Sequence, residues 1–420
     1  MAGDVKSMRG LVALAGAAVL VAACGRAPST QASGGYRLFE ATAQHSQIAV
    51  IDTRTHAIER TLPLGTPSPD WSHLYSVRAG TLLDTDPATG ATLHTLELPG
   101  DYQLPPATLS GLPGGLSQNG RWLALQSVDA AAAVRSFSHL VLVDTSYAKA
   151  PLRVDLRGDF TFDAISNDGR RMFLIEHASA TTYRVRMYDV GSGTLNPNVV
   201  FDKSDGSEAM TGLRISGIPS TDGRWLFSMY VREGASPFIH ALSLDGPLAF
   251  CIELPGSGYA SDANAFGWSI AMAAGGATLY AANAASGVAS ELNTGPDDPP
   301  SLERSTQIGS GSAVARNPVQ DAQAKELGAN AAVITPDGKT LVTASDHGVV
   351  WIDTSGLKAH TRLLGDWTVA SLALSADGST LWALSDSGRI AEISMASRHI
   401  DVTFDPSAGS PLALMRVEAV

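Results

Sequence analysis

Short runs of alternating apolar residues follow one another along the chain and are separated by a recurring turn phrase. The phrase places Asp-Gly or Asn-Gly between two apolar runs. Its clear copies lie at residues 116–123, 165–172, 219–226, 334–341 and 374–381, with a Gly-Gly copy at 272–279 and a degenerate copy at 68–74. Such a turn between alternating runs predicts a tight hairpin, because the turn needs residues with positive φ. The copies recur every ~40–60 residues, which is the period of propeller blades.

Two further strands follow each hairpin. The third strand ends in Asp-Thr or Asp-Val, as at residues 48–53, 140–145, 185–190 and 349–354, and a fourth strand follows, as at 57–64 and 91–98. The repeating unit is therefore a four-stranded antiparallel blade, and the predicted fold is an all-β propeller.

The number of blades follows from the outer strands. These strands end near Leu64, Leu98, Leu156, Phe201, Leu254, Ile308, Leu364 and Phe404. They predict eight blades, with seven as the alternative if the second unit, which has only residues 66–69 for its inner strand, is not a full blade. The first segment, 36–64, lacks an inner strand, and the apolar run 411–419 at the end of the chain is unpaired. Pairing these two segments would close the ring and leave no open sheet edge.

The blade pattern resembles the YVTN repeat family, whose typical blade reads Ser-Pro-Asp-Gly, then an apolar strand, then Val-Ile-Asp-Thr. The resemblance covers nearly all of residues 36–420 and implies a YncE-like propeller. It is specific for the fold and carries no catalytic residue over to this chain. The tryptophan–aspartate repeat proteins are more distant, because their Gly-His and Trp-Asp pairs are absent at the matched positions.

The N-terminus has the features of an export signal. Lys6 and Arg9 precede the apolar stretch 11–22, which is short for a membrane span and ends in Val21-Ala22-Ala23-Cys24. This ending resembles the lipobox of bacterial lipoproteins, and it implies lipidation of Cys24 and cleavage before it. An ordinary secretory signal, in which Cys24 is incidental, is the alternative. We expect the mature protein to be anchored to the cell membrane on its extracytoplasmic side, at an outer leaflet or in a periplasm.

These features divide the chain into a signal peptide (1–23), a flexible tether with Cys24 at its start (24–35) and a single propeller (36–420). The tether is rich in Pro, Gly and Ser, which predicts a flexible linker. An insert at about 295–328 interrupts the blade period; its first half, to residue 305, reads as a loop and residues 318–327 as a short helix. The second cysteine, Cys251, lies in an apolar run and is expected to be a buried, inert thiol.

Composition and charge limit the classes of molecule that the chain is expected to bind. Hydrophobic residues make up 44% of the chain and charged residues 17%, which is typical of a globular protein. The formal net charge is -12, and Lys and Arg are not clustered as a phosphate-binding surface requires. We therefore expect no nucleic-acid partner. The membrane is the expected partner, through Cys24, together with another extracytoplasmic protein or a small ligand, and the chain is expected to be a monomer.

Propellers place ligands in the axial channel, so polar and aromatic residues near the inner strands are the candidates for a site. They are Asp163, ahead of the fourth inner strand, Arg214 in the fifth, Phe266 and Trp268 in the sixth, and the pairs Glu176-His177 and Asp346-His347 just after second strands. The two acidic-His pairs have the chemistry for a divalent metal or for acid–base catalysis, but carboxylates and histidines beside turns are usually solvated or bonded within the turn, and this is the stronger explanation. The histidines lack metal-ligand spacing, so no metal site and no cofactor are predicted.

Two functions fit these observations. The main hypothesis is a membrane-anchored binding or protein-interaction scaffold without enzymatic activity. The alternative is a propeller enzyme, lactonase-like or quinoprotein-dehydrogenase-like, with its site in the axial channel. No hydrolase elbow, phosphate loop or haem motif occurs in the sequence, which favours the scaffold.

Overall fold

The recurring turn phrase folds as a tight turn between the first two strands of a blade. In the copy around Gly120, the amide of Gly120 donates to the carbonyl of Ser117 (2.8 Å), and the amide of Ser117 donates to the carbonyl of Trp122 (2.8 Å). Gly120 has a φ of 74°, which a residue without Cβ adopts at low cost. Asn119 Oδ1 accepts hydrogen bonds from the hydroxyl of Ser117 (2.8 Å) and the amide of Arg121 (3.1 Å). The repeated Asp or Asn is therefore structural, as the sequence indicated.

A computed structural model describes residues 34–107, 111–128, 135–179, 182–203, 210–309 and 331–420. The signal peptide, Cys24, the tether up to residue 33 and the predicted helix at 318–327 lie outside the described residues. Within them, the elements are strands, apart from one 3₁₀ helix, Ala263–Gly267. The strands form eight sheets, which confirms the all-β propeller and the count of eight blades.

The first four blades follow the predicted order of strands, from the inner strand to the outer one. Blade 1 consists of β33 (Pro411–Ala419), β1 (Tyr36–Thr42), β2 (Gln47–Asp52) and β3 (Ala57–Pro63). Blade 2 consists of β4 (Thr66–Pro67), β5 (Leu74–Arg78), β6 (Thr81–Thr85) and β7 (Thr92–Glu97). Blade 3 consists of β8 (Tyr102–Gln103), β9 (Trp122–Ser127), β10 (Phe137–Asp144) and β11 (Leu152–Arg157). Blade 4 consists of β12 (Phe160–Ile165), β13 (Arg171–His177), β14 (Tyr183–Asp189) and β15 (Thr194–Val199).

The other four blades have the same order. Blade 5 consists of β17 (Leu213–Pro219), β18 (Trp225–Val231), β19 (Phe238–Ser243) and β20 (Leu248–Glu253), with β16 (Phe201–Asp202) added parallel to β20. Blade 6 consists of β21 (Trp268–Met272), β22 (Thr278–Asn283), β23 (Val288–Asn293) and β24 (Ser301–Gln307). Blade 7 consists of β25 (Ala332–Ile334), β26 (Thr340–Ser345), β27 (Gly348–Asp353) and β28 (Lys358–Leu363). Blade 8 consists of β29 (Val369–Leu374), β30 (Thr380–Ser385), β31 (Ile390–Ser394) and β32 (His399–Phe404).

The last strand closes the ring. β33 pairs antiparallel with β1 from Tyr36↔Ala419 to Thr42↔Pro411, with two register shifts, and supplies the inner strand that the first segment lacks. The amide of Val420 also donates to the carbonyl of Gly35 (2.8 Å). The predicted closure is confirmed, and blade 2 is complete although its inner strand has only two residues.

The hydrophobic core is divided among the interfaces between neighbouring blades. In the described part of the chain there are eight apolar clusters, and each joins side chains of two adjacent blades. This arrangement follows from the alternation of the strands, because each face of a sheet meets the next blade. One sequence expectation is wrong: residues 301–305, expected as loop, belong to the outer strand β24.

Candidate functional site

Two of the candidates, Asp163 and Arg214, meet at the inner side of the ring. The Arg214 guanidinium forms an ion pair with the Asp163 carboxylate. Asp163 lies inside β12, at a register shift, and not before the strand as expected. Arg214 lies beside a similar shift in β17. These two bulges change the direction of the side chains, so residues of adjacent blades form a pair in which the Asp163 side chain is 3% exposed and that of Arg214 19%.

Arg214 also holds a segment of blade 3. Its second guanidinium nitrogen donates to the carbonyl of Ala107, which lies between β8 and β9. Further along this connection, the carbonyl of Gly114 accepts a hydrogen bond from the hydroxyl of Thr66 (2.8 Å), on the inner strand of blade 2. The described parts of this connection therefore bond to the inner strands of blades 2 and 5, which are three positions apart in the ring.

The surroundings of the pair are buried and neutral. Tyr230 lies between Tyr183, with ring centroids 6.3 Å apart, and His240, 6.0 Å away. Burial raises the pKa of Tyr230 to about 12 and lowers the pKa of His240 to about 4, so both side chains are uncharged near neutral pH. Burial acts to lower the pKa of Arg214, but the charge interactions and hydrogen bonds with Asp163 and Tyr230 together outweigh it and raise that pKa. The arrangement stabilises a charged Arg214 and engages both terminal nitrogens of its guanidinium.

Removing either member of the pair is expected to be costly. Asp163→Leu or Arg214→Leu leaves one buried charge without its partner, and each should lower the free energy of unfolding by ~3 kcal/mol. The double variant should lose much less than the sum of the two. Urea unfolding of the four proteins measures this coupling, and additive losses would show that the two charges do not interact.

The acidic-His pairs are not brought together. Glu176 and His177 are the last residues of β13 in blade 4, whereas Asp346 and His347 lie between β26 and β27 in blade 7. Glu176 accepts a hydrogen bond from Arg186 (2.7 Å), and the ring of His177 is 3.2 Å from the hydroxyl of Thr161. These partners favour local roles in their own blades. Among the described residues, no group of three or more His, Cys, Asp or Glu side chains is placed to hold a metal ion.

The aromatic candidates are core residues. Phe266 lies in the 3₁₀ helix, before the strand in which it was expected, and its ring stacks on Tyr259 at 5.2 Å. Trp268 begins β21 and is buried in the cluster between blades 5 and 6. Packing between blades, which is the usual role of such rings, accounts for both.

Cys251 lies in β20 and is half-buried, not fully buried as expected.

One arrangement was missed by the sequence analysis, and it lies between blades 2 and 3. His73 Nδ1 is 2.9 Å and 3.0 Å from the two carboxylate oxygens of Asp84, and Tyr147 donates its hydroxyl to Asp84 (3.1 Å). The pair lies beside a cleft of about 430 Å³. The degenerate copy of the turn phrase at 68–74 was the available signal, because Trp71 stands there in place of Gly, with a φ of 58°.

Comparison with known proteins concerns the fold. No protein-family model and no curated protein sequence matches this chain. Among solved structures, apo AztD from Citrobacter koseri has a TM-score of 0.54 at 11% identity, covering 92% of this chain and 98% of that one. The dihydro-heme d1 dehydrogenase NirN in complex with DHE has a TM-score of 0.50 at 14% identity, covering 92% and 75%. The periplasmic gluconolactonase PpgL of Pseudomonas aeruginosa has a TM-score of 0.46 at 16% identity, covering 92% and 99%. The sheet topology and the first two similarities identify the chain as an eight-bladed β-propeller.

Proposed function

We propose that this chain is a lipid-anchored, extracytoplasmic propeller that acts as a binding or protein-interaction scaffold. The observation that carries the proposal is the set of contacts that Arg214 makes within the ring. Arg214 binds Asp163 of blade 4 and the carbonyl of Ala107 from blade 3, so this charged group links three neighbouring blades. A partner or ligand is therefore expected to bind at the faces of the propeller or in the clefts between its blades.

An enzyme with its site in the axial channel has less support. Such an enzyme needs an acid, a base or a cofactor cavity that faces the channel. The two charged candidates on the inner strands bind each other, and the connection between β8 and β9 bonds to the inner strands of blades 2 and 5. Turnover of a lactone by the purified protein, or oxidation of a substrate with added quinone cofactor, would contradict the scaffold proposal.

The location rests on the N-terminal sequence. Lys6, Arg9, the apolar stretch 11–22 and Cys24 have the order of a lipoprotein signal. In the described part of the chain, no helix is long and apolar enough to cross a membrane. A lipid on Cys24 followed by a tether would keep the propeller within reach of the membrane surface.

Substituting Cys24 tests the anchor. In a bacterial host, the full chain is expected to fractionate with membranes and to incorporate labelled palmitate, whereas Cys24→Ser should lose the label and move to the soluble fraction. Cys251→Ser is the matched control and should behave as wild type. An unlabelled wild-type chain would contradict lipidation.

The scaffold role predicts a partner near the membrane. Chemical cross-linking in intact cells should give a discrete adduct of the full chain, and the Cys24→Ser variant, released from the membrane, should lose most of it. An adduct-free wild-type chain under conditions that cross-link known membrane complexes would count against the role.

A further inference from the structure

The eight blades can be aligned by their strand register, and this alignment identifies the residues equivalent to Asp84. The strand register pairs Asp84 with Tyr75 on β5, and the residues at the same register in the other blades are Val50, Leu142, Met187, Ala241, Glu291, Trp351 and Glu392. Five of these seven are apolar. Glu291 accepts a hydrogen bond from Arg304 and Glu392 accepts one from Trp382, each on a neighbouring strand of the same blade. Asp84 therefore places a carboxylate, 1% exposed, at a position that usually belongs to the core.

The buried carboxylate orients His73. With the carboxylate of Asp84 as the acceptor of this contact, the tautomer of His73 that fits it has its N–H at Nδ1. In the neutral ring, Nε2 is then an acceptor. The Tyr147 hydroxyl occupies a further site on Asp84, and its ring stacks on His94 at 3.8 Å. The His73 side chain is 40% exposed and lines the cleft.

The cleft beside His73 is larger than a related one. It measures about 430 Å³ and is lined by Ser68, Pro69, Asp70, Ser72, His73, Tyr75, Asn119, Gly120, Thr145 and Ser146. A cleft in blade 7 measures about 160 Å³, and the bulky Trp351, the counterpart of Asp84, is part of its lining together with Arg398. The blade 2 cleft has no Lys or Arg in its lining.

Four of the five hydroxyl groups in the lining, all but that of Tyr75, donate hydrogen bonds to protein atoms. Ser68 and Ser72 both donate to Asp70 Oδ1 (2.6 Å and 2.8 Å), Ser146 donates to Asp144 (2.8 Å), and Thr145 donates to the carbonyl of Gly120 (2.8 Å). The backbone amides of Ser72, His73 and Ser146 are also bonded within the turns. The hydrogens of these hydroxyl groups and amides are therefore already donated, and only the lone pairs of the hydroxyl oxygens remain for a ligand.

Besides these hydroxyl oxygens, the lining offers two further hydrogen-bond acceptors. Asp70 Oδ1 receives the hydrogen bonds from Ser68 and Ser72, which lower the pKa of Asp70 to about 2, so the exposed Asp70 is ionised. Its second oxygen and His73 Nε2 are both acceptors. A lining of acceptors and negative charge repels anions and favours a ligand that brings several N–H donors and a positive charge.

We propose that the cleft between blades 2 and 3 binds an alkylammonium group, with Asp70 and His73 Nε2 accepting its N–H hydrogens. The ammonium comes either from a free diamine or from a lysine side chain of a partner protein. The inference goes beyond the proposed function, because it assigns a site and a ligand chemistry that do not depend on lipidation of Cys24.

The test uses the full chain in detergent micelles and two amine probes, cadaverine and Nα-acetyl-lysine amide. Titration is followed by calorimetry and by the imidazole Hε1 resonance of His73, assigned by its loss in His73→Phe. Saturable binding is expected, and His73→Phe and Asp70→Asn should each weaken it roughly 10-fold, as the loss of one charge-assisted hydrogen bond predicts. Tighter binding of cadaverine would identify a free diamine, and equal or tighter binding of the lysine probe a protein side chain.

The controls separate the site from general charge attraction. His139 also pairs with an aspartate, Asp155, at 2.6 Å, but that carboxylate is exposed on an outer strand, so His139→Phe should bind both amines as wild type does. Acetylating the ε-amine of the lysine probe should abolish binding. Because Asp70 is exposed, Asp70→Asn keeps the test valid if His73→Phe does not fold. Failure of both amines to saturate, or equal losses in His139→Phe and His73→Phe, would overturn the proposal.

Discussion

A chain that ends at Ser410 is expected to be unfolded under conditions in which the full chain is stable. The truncation removes β33, which supplies the inner strand of blade 1 along the whole length of β1. It also removes the buried side chains of Leu412, Ala413 and Leu414 and exposes the edge of β1. Domains have net stabilities of only ~5–15 kcal/mol. We expect the free energy lost with β33 and with the opening of the ring to exceed that margin.

Thermal unfolding followed by circular dichroism measures the effect. The full chain should show a cooperative transition, and the truncated chain should show none and should aggregate. Deleting Val420 alone is the control, because that residue is half-exposed and follows the paired segment; it should leave the transition nearly unchanged. A truncated chain that unfolds cooperatively at the wild-type temperature would show that β33 does not close the ring.

The second large effect is a loss of stability at alkaline pH caused by Glu40. This residue lies in β1, is fully buried, and neither of its carboxylate oxygens has a hydrogen-bond partner. Burial, with a smaller contribution from the charge of Asp405, raises the pKa of Glu40 from 4.5 to about 8. The folded state therefore keeps a proton that the unfolded state releases above about pH 4.5. The resulting stabilisation is present below that pH and is lost as the pH rises through about 8, with a total of roughly 5 kcal/mol.

Glu40→Gln isolates this contribution. The amide is a neutral substitute for the protonated acid, so the variant should match wild type near pH 4 and should be the more stable protein, by several kcal/mol, near pH 9. Urea unfolding across this range checks the difference, and Glu97→Gln, at an exposed position on β7, is the control that should follow wild type throughout. Parallel curves for wild type and Glu40→Gln would mean that Glu40 is ionised in the folded protein.

The fold could be predicted from the sequence because its determinants are local and repeated. Each Asp-Gly turn fixes a hairpin by itself, and seven copies, one of them degenerate, fix the period. The closure followed from a missing strand at one end of the propeller and a spare strand at the other. The outer strand that ends near Ile308 was predicted, but the first residues of β24 were assigned to a loop because Ser301–Gln307 are mostly exposed and polar, so no apolar alternation marks them.

The site could be predicted only in part. Asp163 and Arg214 were recognised one by one, but their pairing depends on two bulges and on the neighbourhood of blades 4 and 5, which a linear pattern does not contain. Asp84 was missed because its burial depends on strand register. Comparing the blades position by position reveals it, since a carboxylate in an apolar position of a repeat needs a partner.

An experimental structure of the chain is the most direct test of the central claim, that eight blades form a ring closed by β33, with Arg214 linking blades 3, 4 and 5 on its inner side. We expect eight sheets of four strands each, with β16 added to that of blade 5, β33 paired with β1, and Arg214 bound to Asp163 and to the carbonyl of Ala107. A ring of seven blades, an unpaired C-terminal strand, or an Arg214 side chain directed into an open channel would contradict it.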